Sequence, residues 1–215
     1  MRLLFNRNVI TASLLWGMTV TVLCLPYLIR QTSDSSLLIF RIAFLPPVLV
    51  LLLQVSFAWT PLGGRGPMLR RPNDCRVWLA LAAAGTALLA IYIIAVDPLL
   101  AAAVPDYFWR DPTEFVLSLP WTVLCQTLIF VSGVYAFTIR LTKRGYAAIA
   151  MVALVHQAVS MVQYSESLSS GQAFALLLTA GVTGAVLGSS YHYSGVLGPL
   201  LITAVTQVRH VVRFL

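Results

Sequence analysis

One histidine in the middle of an apolar segment is the residue best placed to do chemistry. His156 lies within the apolar residues 147–163, and Ser160 follows it by four positions, on the same face of a helix. An imidazole there could act as a general base, ligate a metal or haem, or form a hydrogen bond that aids packing. No other His, Cys, Asp or Glu lies three or four residues from His156, so a metal would need ligands from other segments.

Further polar side chains interrupt the apolar segments. Arg41 lies about one helical turn from the end of its segment, where its long side chain can reach the membrane interface. Asp97 precedes Pro98, and we expect its carboxylate to accept hydrogen bonds from backbone groups freed around that proline. Polar groups within a bilayer are costly and usually face the interior of a helical bundle. The remaining polar residues of this kind are Gln126, Thr127, Ser132, Gln157, Gln163 and Gln207.

The elements that must position these residues are membrane-spanning helices. Of the 215 residues, 59% are hydrophobic and 10% are charged, too few charges to cover a water-facing globule. This composition excludes a soluble enzyme, a secreted disulfide scaffold and a disordered chain. A helix needs about 20 apolar residues to cross a bilayer. Seven stretches qualify or nearly qualify, namely residues 9–29, 37–59, 77–104, 116–139, 147–163, 173–191 and 196–212.

The predicted fold is therefore an all-α polytopic transmembrane helical bundle of about seven spans. Residues 1–215 form a single integral membrane domain, with the first three spans in residues 1–110 and the last four in residues 115–210. The glycine spacing in residues 173–191 favours close helix packing, because Gly184 and Gly188 form a GxxxG pattern with Gly181 nearby. We expect this pattern to serve packing within the bundle more than dimerisation, with Gly133 as a fourth packing position.

Lys and Arg residues are concentrated in alternate loops. They precede the first span and occupy the loops after the second and fourth spans, whereas the opposite loops hold few. This bias predicts a protein of the bacterial cytoplasmic (inner) membrane with its N-terminus in the cytoplasm. Seven crossings would place Arg209 and Arg213 outside, against the bias. Either the last span is short and tilted, or one segment is re-entrant.

The basic loops also indicate the partners. The loop of residues 60–76 is rich in Gly and Pro and carries Arg65, Arg70, Arg71 and Arg76, which we expect to face anionic lipid or a protein surface. The net charge of +7 reflects such loops, and the chain has no basic helix or aromatic platform that would favour nucleic acid. The three cysteines lack CxxC spacing, which predicts neither a metal site nor a disulfide.

Three segments of the second half share a pattern with a known family. They are Thr127-Leu-Ile-Phe-Val-Ser-Gly133 with Arg140 beyond it, Val152-Ala-Leu-Val-His156, and Tyr191-His-Tyr-Ser-Gly195-Val-Leu-Gly-Pro199. In this order they resemble the CPBP family of intramembrane proteases, which includes the CAAX prenyl proteases and the bacterial Abi proteins. That family has a Glu-Glu-x-x-x-Arg motif, a Phe-x-x-x-His motif and a His-x-x-x-Asn/Asp motif on three helices. The resemblance covers about residues 115–210 and implies a protease-like helical core there.

The motif residues themselves are mostly replaced. In the family a glutamate is thought to activate water, with histidines assisting, and of these groups only His156 is retained. A threonine cannot take a proton as a general base near neutral pH, so the resemblance implies a bundle without the family's hydrolytic site. The paired glutamates fall on Thr127 and Leu128, the arginine on Ser132, the phenylalanine on Val152, the third-motif histidine on Thr203 or Ala204, and its partner on Gln207 or Val208.

These observations favour a non-catalytic accessory or scaffold subunit. It would bind a partner transmembrane segment or a lipid within a larger membrane complex, with membrane lipids and other integral membrane proteins as partners and no cofactor. One alternative is an intramembrane protease with an atypical site around His156, assisted by Ser132, Thr127 and Gln207. The others are a small transporter and a subunit that ligates a cofactor or pigment through His156.

Overall fold

Seven helices build the part of the chain that the structure describes. A computed structural model gives residues 3–63, 67–70, 73–103, 109, 111–164 and 168–211. Six of the helices are long and apolar enough to cross a bilayer, which confirms an all-α integral membrane protein. They are α1 (Arg7–Gln31), α2 (Ser35–Trp59, extended by a 3₁₀ turn Thr60–Gly63), α3 (Cys75–Ala103), α4 (Pro112–Thr142), α5 (Gly145–Tyr164) and α6 (Ser170–Ser194).

The seventh helix, α7 (Leu197–Val211), is shorter than the others. Its 15 residues extend about 22 Å at 1.5 Å per residue, whereas the hydrocarbon core of a bilayer is about 30 Å thick. The seventh predicted stretch, residues 196–212, therefore corresponds to a short helix, and residue 212 lies outside the described residues.

Short polar side chains set where the helices begin. Carboxylates of Asp34, Asp74 and Asp111 accept hydrogen bonds from backbone N–H groups in the first turns of α2, α3 and α4. Ser169 and Gln172 form a reciprocal capping box at the start of α6. These caps allow polar residues to form the first turn of a helix. Several helices therefore begin a few residues before the apolar stretches from which they were predicted.

Two of the long helices contain π-helical segments. In α3 the segment is Tyr92–Val96, directly before Asp97 and Pro98, and in α4 the segments are Pro120–Cys125 and Thr127–Gly133. A proline lacks a backbone N–H and crowds the preceding turn, so a locally widened helix accommodates it. Such segments are frequent at functional sites because they shift the register of the side chains that follow.

Small residues bring α5 and α6 into close contact. A Cβ built at Gly184 would lie 2.7 Å from the Cα of Ala153, and one built at Gly188 would lie 3.2 Å from the Cα of Ile149. Gly181 faces the side chain of Gln157 on the same interface. These glycines thus face a neighbouring helix of the same chain, while Gly133 lies against Leu52 of α2.

The bundle has two ends that differ in charge. At the end where α1 finishes, here named the Arg30 end, Arg30 forms an ion pair with Asp111 at 3.2 Å. At the opposite end, the Arg140 end, the guanidinium of Arg140 lies 5.9 Å from the ring of Trp59. At that end the carbonyl of the buried Met68 accepts a 2.8 Å hydrogen bond from the N–H of Val196, which joins the segment after α2 to the start of α7. The described basic residues near the Arg140 end are Arg7, Arg70, Arg76, Arg140, Lys143 and Arg144, with Asp74 as the described acidic residue.

Candidate functional site

A cavity of about 610 Å³ lies inside the bundle, with residues of every helix except α2 in its described wall. This volume is within the range of cavities that hold small ligands. The wall contains both aromatic and polar side chains, and it reaches from Val131 and Leu187 within the bundle to Tyr27 and Trp109 near the Arg30 end. The polar residues predicted from the sequence that line it are Gln126, Thr127, His156, Gln163 and Gln207.

The other predicted polar residues lie elsewhere and have structural contacts. Gln157 donates from its amide to the carbonyl of Leu177 at 3.0 Å and so joins α5 to α6. Arg41 donates to the hydroxyl of Thr32 at 2.8 Å, near the Arg30 end. Ser132 is fully buried and its hydroxyl lies near that of Tyr191, away from the cavity. The sequence places Ser132 with His156 in a possible atypical site, whereas in the structure Ser132 does not line the cavity that His156 lines.

Four of the positions that lie over the family's motifs meet in this cavity. The hydroxyls of Thr127 on α4 and Thr203 on α7 are 3.5 Å apart, and His156 of α5 lines the same cavity. Gln207 lies one helical turn beyond Thr203 and also lines it. The sequence left two alignments of the third motif open, one on Thr203 and Gln207 and one on Ala204 and Val208. Thr203 and Gln207 line the cavity, whereas Ala204 is exposed on the outer face of α7.

His156 has a defined hydrogen bond. Its Nδ1 is 3.0 Å from the carbonyl oxygen of Val152, four residues earlier in α5. Because a carbonyl only accepts hydrogen bonds, Nδ1 carries the proton, and Nε2 of the neutral ring is left as an acceptor. Ser160 lines the cavity on the same face of the helix, as its spacing predicts. The imidazole is therefore oriented by the backbone of its own helix.

An ion pair that the sequence did not predict lies at the cavity. Nη1 of Arg209 on α7 is 3.7 Å from Oδ1 of Asp97 on α3, and the two side chains are 12% and 8% exposed. The guanidinium also lies 4.2 Å from the centre of the Tyr92 ring. We expected Asp97 to be held by backbone groups near Pro98, and the structure adds this charged partner. The sequence did hold one indication of this ion pair, because Arg209 lies on the side of the membrane where the loops carry few Lys and Arg residues.

The π-helical segments supply part of the cavity wall. Tyr92 comes from the segment in α3, Trp121 and Thr122 from the first segment in α4, and Thr127 and Phe130 from the second. A regular helix would point some of these side chains to another face. Sequence analysis missed this arrangement, although Pro98 and Pro120 marked two of the three positions.

The remaining candidate residues lie outside the cavity. Arg70 and Arg76 are exposed near the Arg140 end, and Arg65 and Arg71 lie outside the described residues. Cys24 of α1 and Cys125 of α4 are buried free thiols that contact each other. Across residues that the structure describes, no three His, Cys, Asp or Glu side chains lie close enough together to hold a metal ion.

Comparisons with known proteins do not identify a relative. No family model, curated protein or solved structure matches the chain. The likeness to the CPBP proteases therefore stays a hypothesis that rests on the motif positions, four of which meet in one cavity.

Proposed function

We propose that this protein is a non-catalytic, CPBP-like membrane protein that binds a lipid in the cavity between α4, α5 and α7. It would act as an accessory subunit of a larger membrane complex. The observation that carries the proposal is the meeting of Thr127, His156, Thr203 and Gln207 around one cavity of about 610 Å³. Such a wall offers several hydrogen bonds to a polar group and is embedded among apolar helices, which suits an amphipathic ligand.

Size favours a lipid over a partner helix as the occupant. A transmembrane helix about 10 Å in diameter and 30 Å long fills about 2,400 Å³. The cavity is smaller than this, and six of the seven described helices border it, so a helix would have to stay partly outside it. A lipid can place its polar group in the cavity and leave the rest of its chain among the surrounding helices.

Binding is favoured over hydrolysis by the chemistry of the wall. In the family that the chain resembles, a glutamate is thought to activate the water with histidines assisting, so here an imidazole would have to act without a carboxylate. The described wall holds amides, hydroxyls, imidazoles and Arg209, and it includes no carboxylate. The positions of the family's paired glutamates are occupied by Thr127, which lines the cavity, and Leu128, which is buried elsewhere.

A hydrolase that uses His156 is the second candidate. It is favoured by the hydrogen bond from Nδ1 to Val152, which leaves Nε2 as an acceptor. Processing of a candidate membrane substrate by the wild-type protein and by His156→Ala tests it. Loss of processing in His156→Ala with retained folding would support this candidate, and equal processing would remove it.

Charge suggests how the bundle is oriented. Most described basic residues lie near the Arg140 end, and positive residues favour the cytoplasmic side. We therefore place the Arg140 end and the N-terminus in the cytoplasm of a bacterial cell, with the cavity nearer the opposite face of the inner membrane.

Native mass spectrometry tests the proposed function. The protein is purified in mild detergent as wild type, as Thr203→Phe, which fills the cavity, and as Ala204→Phe, which adds the same ring to the exposed face of α7. We expect one bound amphiphile in the wild type and Ala204→Phe, and none in Thr203→Phe. Equal retention in all three proteins, or none in any, would contradict the proposal.

A further inference from the structure

We propose that the lipid bound in this cavity has an uncharged polar head group rich in hydroxyl or carbonyl oxygens. The inference rests on the proposed function and names the chemical class of its ligand. It follows from the charges of the cavity wall, from the hydrogen-bonding groups in it, and from its apolar part.

The charge in the wall is already offset within the protein. Arg209 is the one Lys or Arg in the described wall, and its guanidinium lies 3.7 Å from the carboxylate of Asp97. Both side chains are nearly buried, so solvent screens this pair little. The Nε of Arg209 also donates to Nε2 of His210 at 3.3 Å, which requires that nitrogen to be unprotonated. A charged head group would therefore enter a site in which the one guanidinium of the described wall is already paired with the carboxylate of Asp97 beside it.

The polar groups of the wall suit a neutral partner. The amides of Gln126, Gln163 and Gln207 each offer donors and an acceptor, and the hydroxyl of Thr203 can do either. His156 contributes an acceptor at Nε2, because its Nδ1 is bonded to the backbone. Hydroxyl and carbonyl oxygens match such mixed groups, whereas a phosphate or carboxylate accepts only and would leave the acceptors of the wall unpaired.

The apolar part of the wall indicates where the hydrocarbon chain of the lipid lies. Leu88, Leu100, Leu187 and Ile202 line the cavity together with the ring of Trp121. These side chains form no hydrogen bonds with a head group, and burial of hydrocarbon against them is favourable. The ligand is therefore an amphiphile whose uncharged head lies among the amides and whose chain begins at the leucines.

Quenching of tryptophan fluorescence distinguishes head groups. Trp109 and Trp121 line the cavity, and bromine quenches tryptophan at close range. Three probes with the same brominated acyl or alkyl chain are titrated in detergent at a pH of about 8: a monoacylglycerol, a fatty acid and an alkylamine. Quenching by a probe bound in the cavity, here called site-specific quenching, is the fraction of the total quenching that is lost in Thr203→Phe and kept in Ala204→Phe.

We expect the monoacylglycerol to bind at least about tenfold more tightly than either charged probe, because it is costly to take a charge out of water without a partner of opposite charge. Tightest binding of the fatty acid or the alkylamine, or equal binding of all three, would overturn the uncharged assignment and leave the proposed function standing. Absence of site-specific quenching by every probe would overturn the uncharged assignment. The proposed function fails with it only if native mass spectrometry also shows no retained amphiphile, or equal retention in the wild type and both variants.

Discussion

The ion pair between Arg209 and Asp97 gives the sharpest test of how α7 is held in the bundle. Two unit charges 3.7 Å apart attract each other by about 4.5 kcal/mol at an effective dielectric constant of about 20. Desolvation offsets much of this attraction, so the intact pair adds little net stability. Removal of one partner is different, because it leaves the other charge buried alone.

We expect Asp97→Asn and Arg209→Met each to destabilise the folded protein by about 3 kcal/mol. The double variant Asp97→Asn/Arg209→Met removes both charges of the pair and should lose about 1 kcal/mol, largely from the contact of the guanidinium with the Tyr92 ring. The coupling between the two sites would then be several kcal/mol, well above the error of a double-mutant cycle.

Equilibrium unfolding in mixed micelles with increasing dodecyl sulfate, followed by circular dichroism, measures these free energies. Arg30→Met is the control, because its ion pair with Asp111 is about half exposed and should contribute little. Additive costs of the two single substitutions, with the double variant about 6 kcal/mol less stable than the wild type, would refute the assignment of Arg209 and Asp97 as an interacting pair.

Three further predictions test other parts of the structure. Gly184→Ala should lower stability by about 1–3 kcal/mol because its methyl group would overlap Ala153, whereas Gly171→Ala, which meets nothing within 4 Å, should not lower it; thermal unfolding in detergent compares the two. Gly195→Ala should be destabilising by about 1–3 kcal/mol, since φ is 65° there, and the same assay shows it. A hydrogen bond from the backbone N–H of Thr113 lowers the pKa of the Asp111 carboxyl. The ionised carboxylate therefore stabilises the fold above the ordinary pKa of 3.8, and this contribution disappears as the pH falls through the lowered pKa. The Tm difference between wild type and Asp111→Ala should therefore vanish in acid, and a difference that persists would contradict the role of the carboxylate.

The bundle could be predicted because apolar length and charge bias act locally along the chain. Six of the stretches found by hydrophobicity correspond to helices that are long and apolar enough to span a bilayer. Their starts were less accurate, since caps such as Asp111 extend a helix into polar sequence. The same logic indicated that polar residues face inward, and His156 and Gln207 do line the cavity.

The remaining features depend on contacts between distant parts of the chain. Nothing near Asp97 in the sequence specifies that its partner is Arg209 on another helix. The choice between Thr203 and Ala204 as a wall residue depends on the rotation of α7, which packing against α3 and α6 fixes. Neither the residue type of Ser132 nor its apolar neighbours in the sequence show whether it faces the cavity. Its position on α4 turns its side chain toward Tyr191.

Both proposals depend on the meeting of α4 and α7 at the cavity, and disulfide formation measures it most directly. In a background with the natural cysteines replaced by alanine, the variant Thr127→Cys/Thr203→Cys should form a disulfide rapidly on mild oxidation, because the two hydroxyls are 3.5 Å apart. The matched variant Thr127→Cys/Ala204→Cys should not, since Ala204 faces outward. Equal cross-linking of the two variants, or cross-linking of the second alone, would contradict the arrangement of the cavity wall.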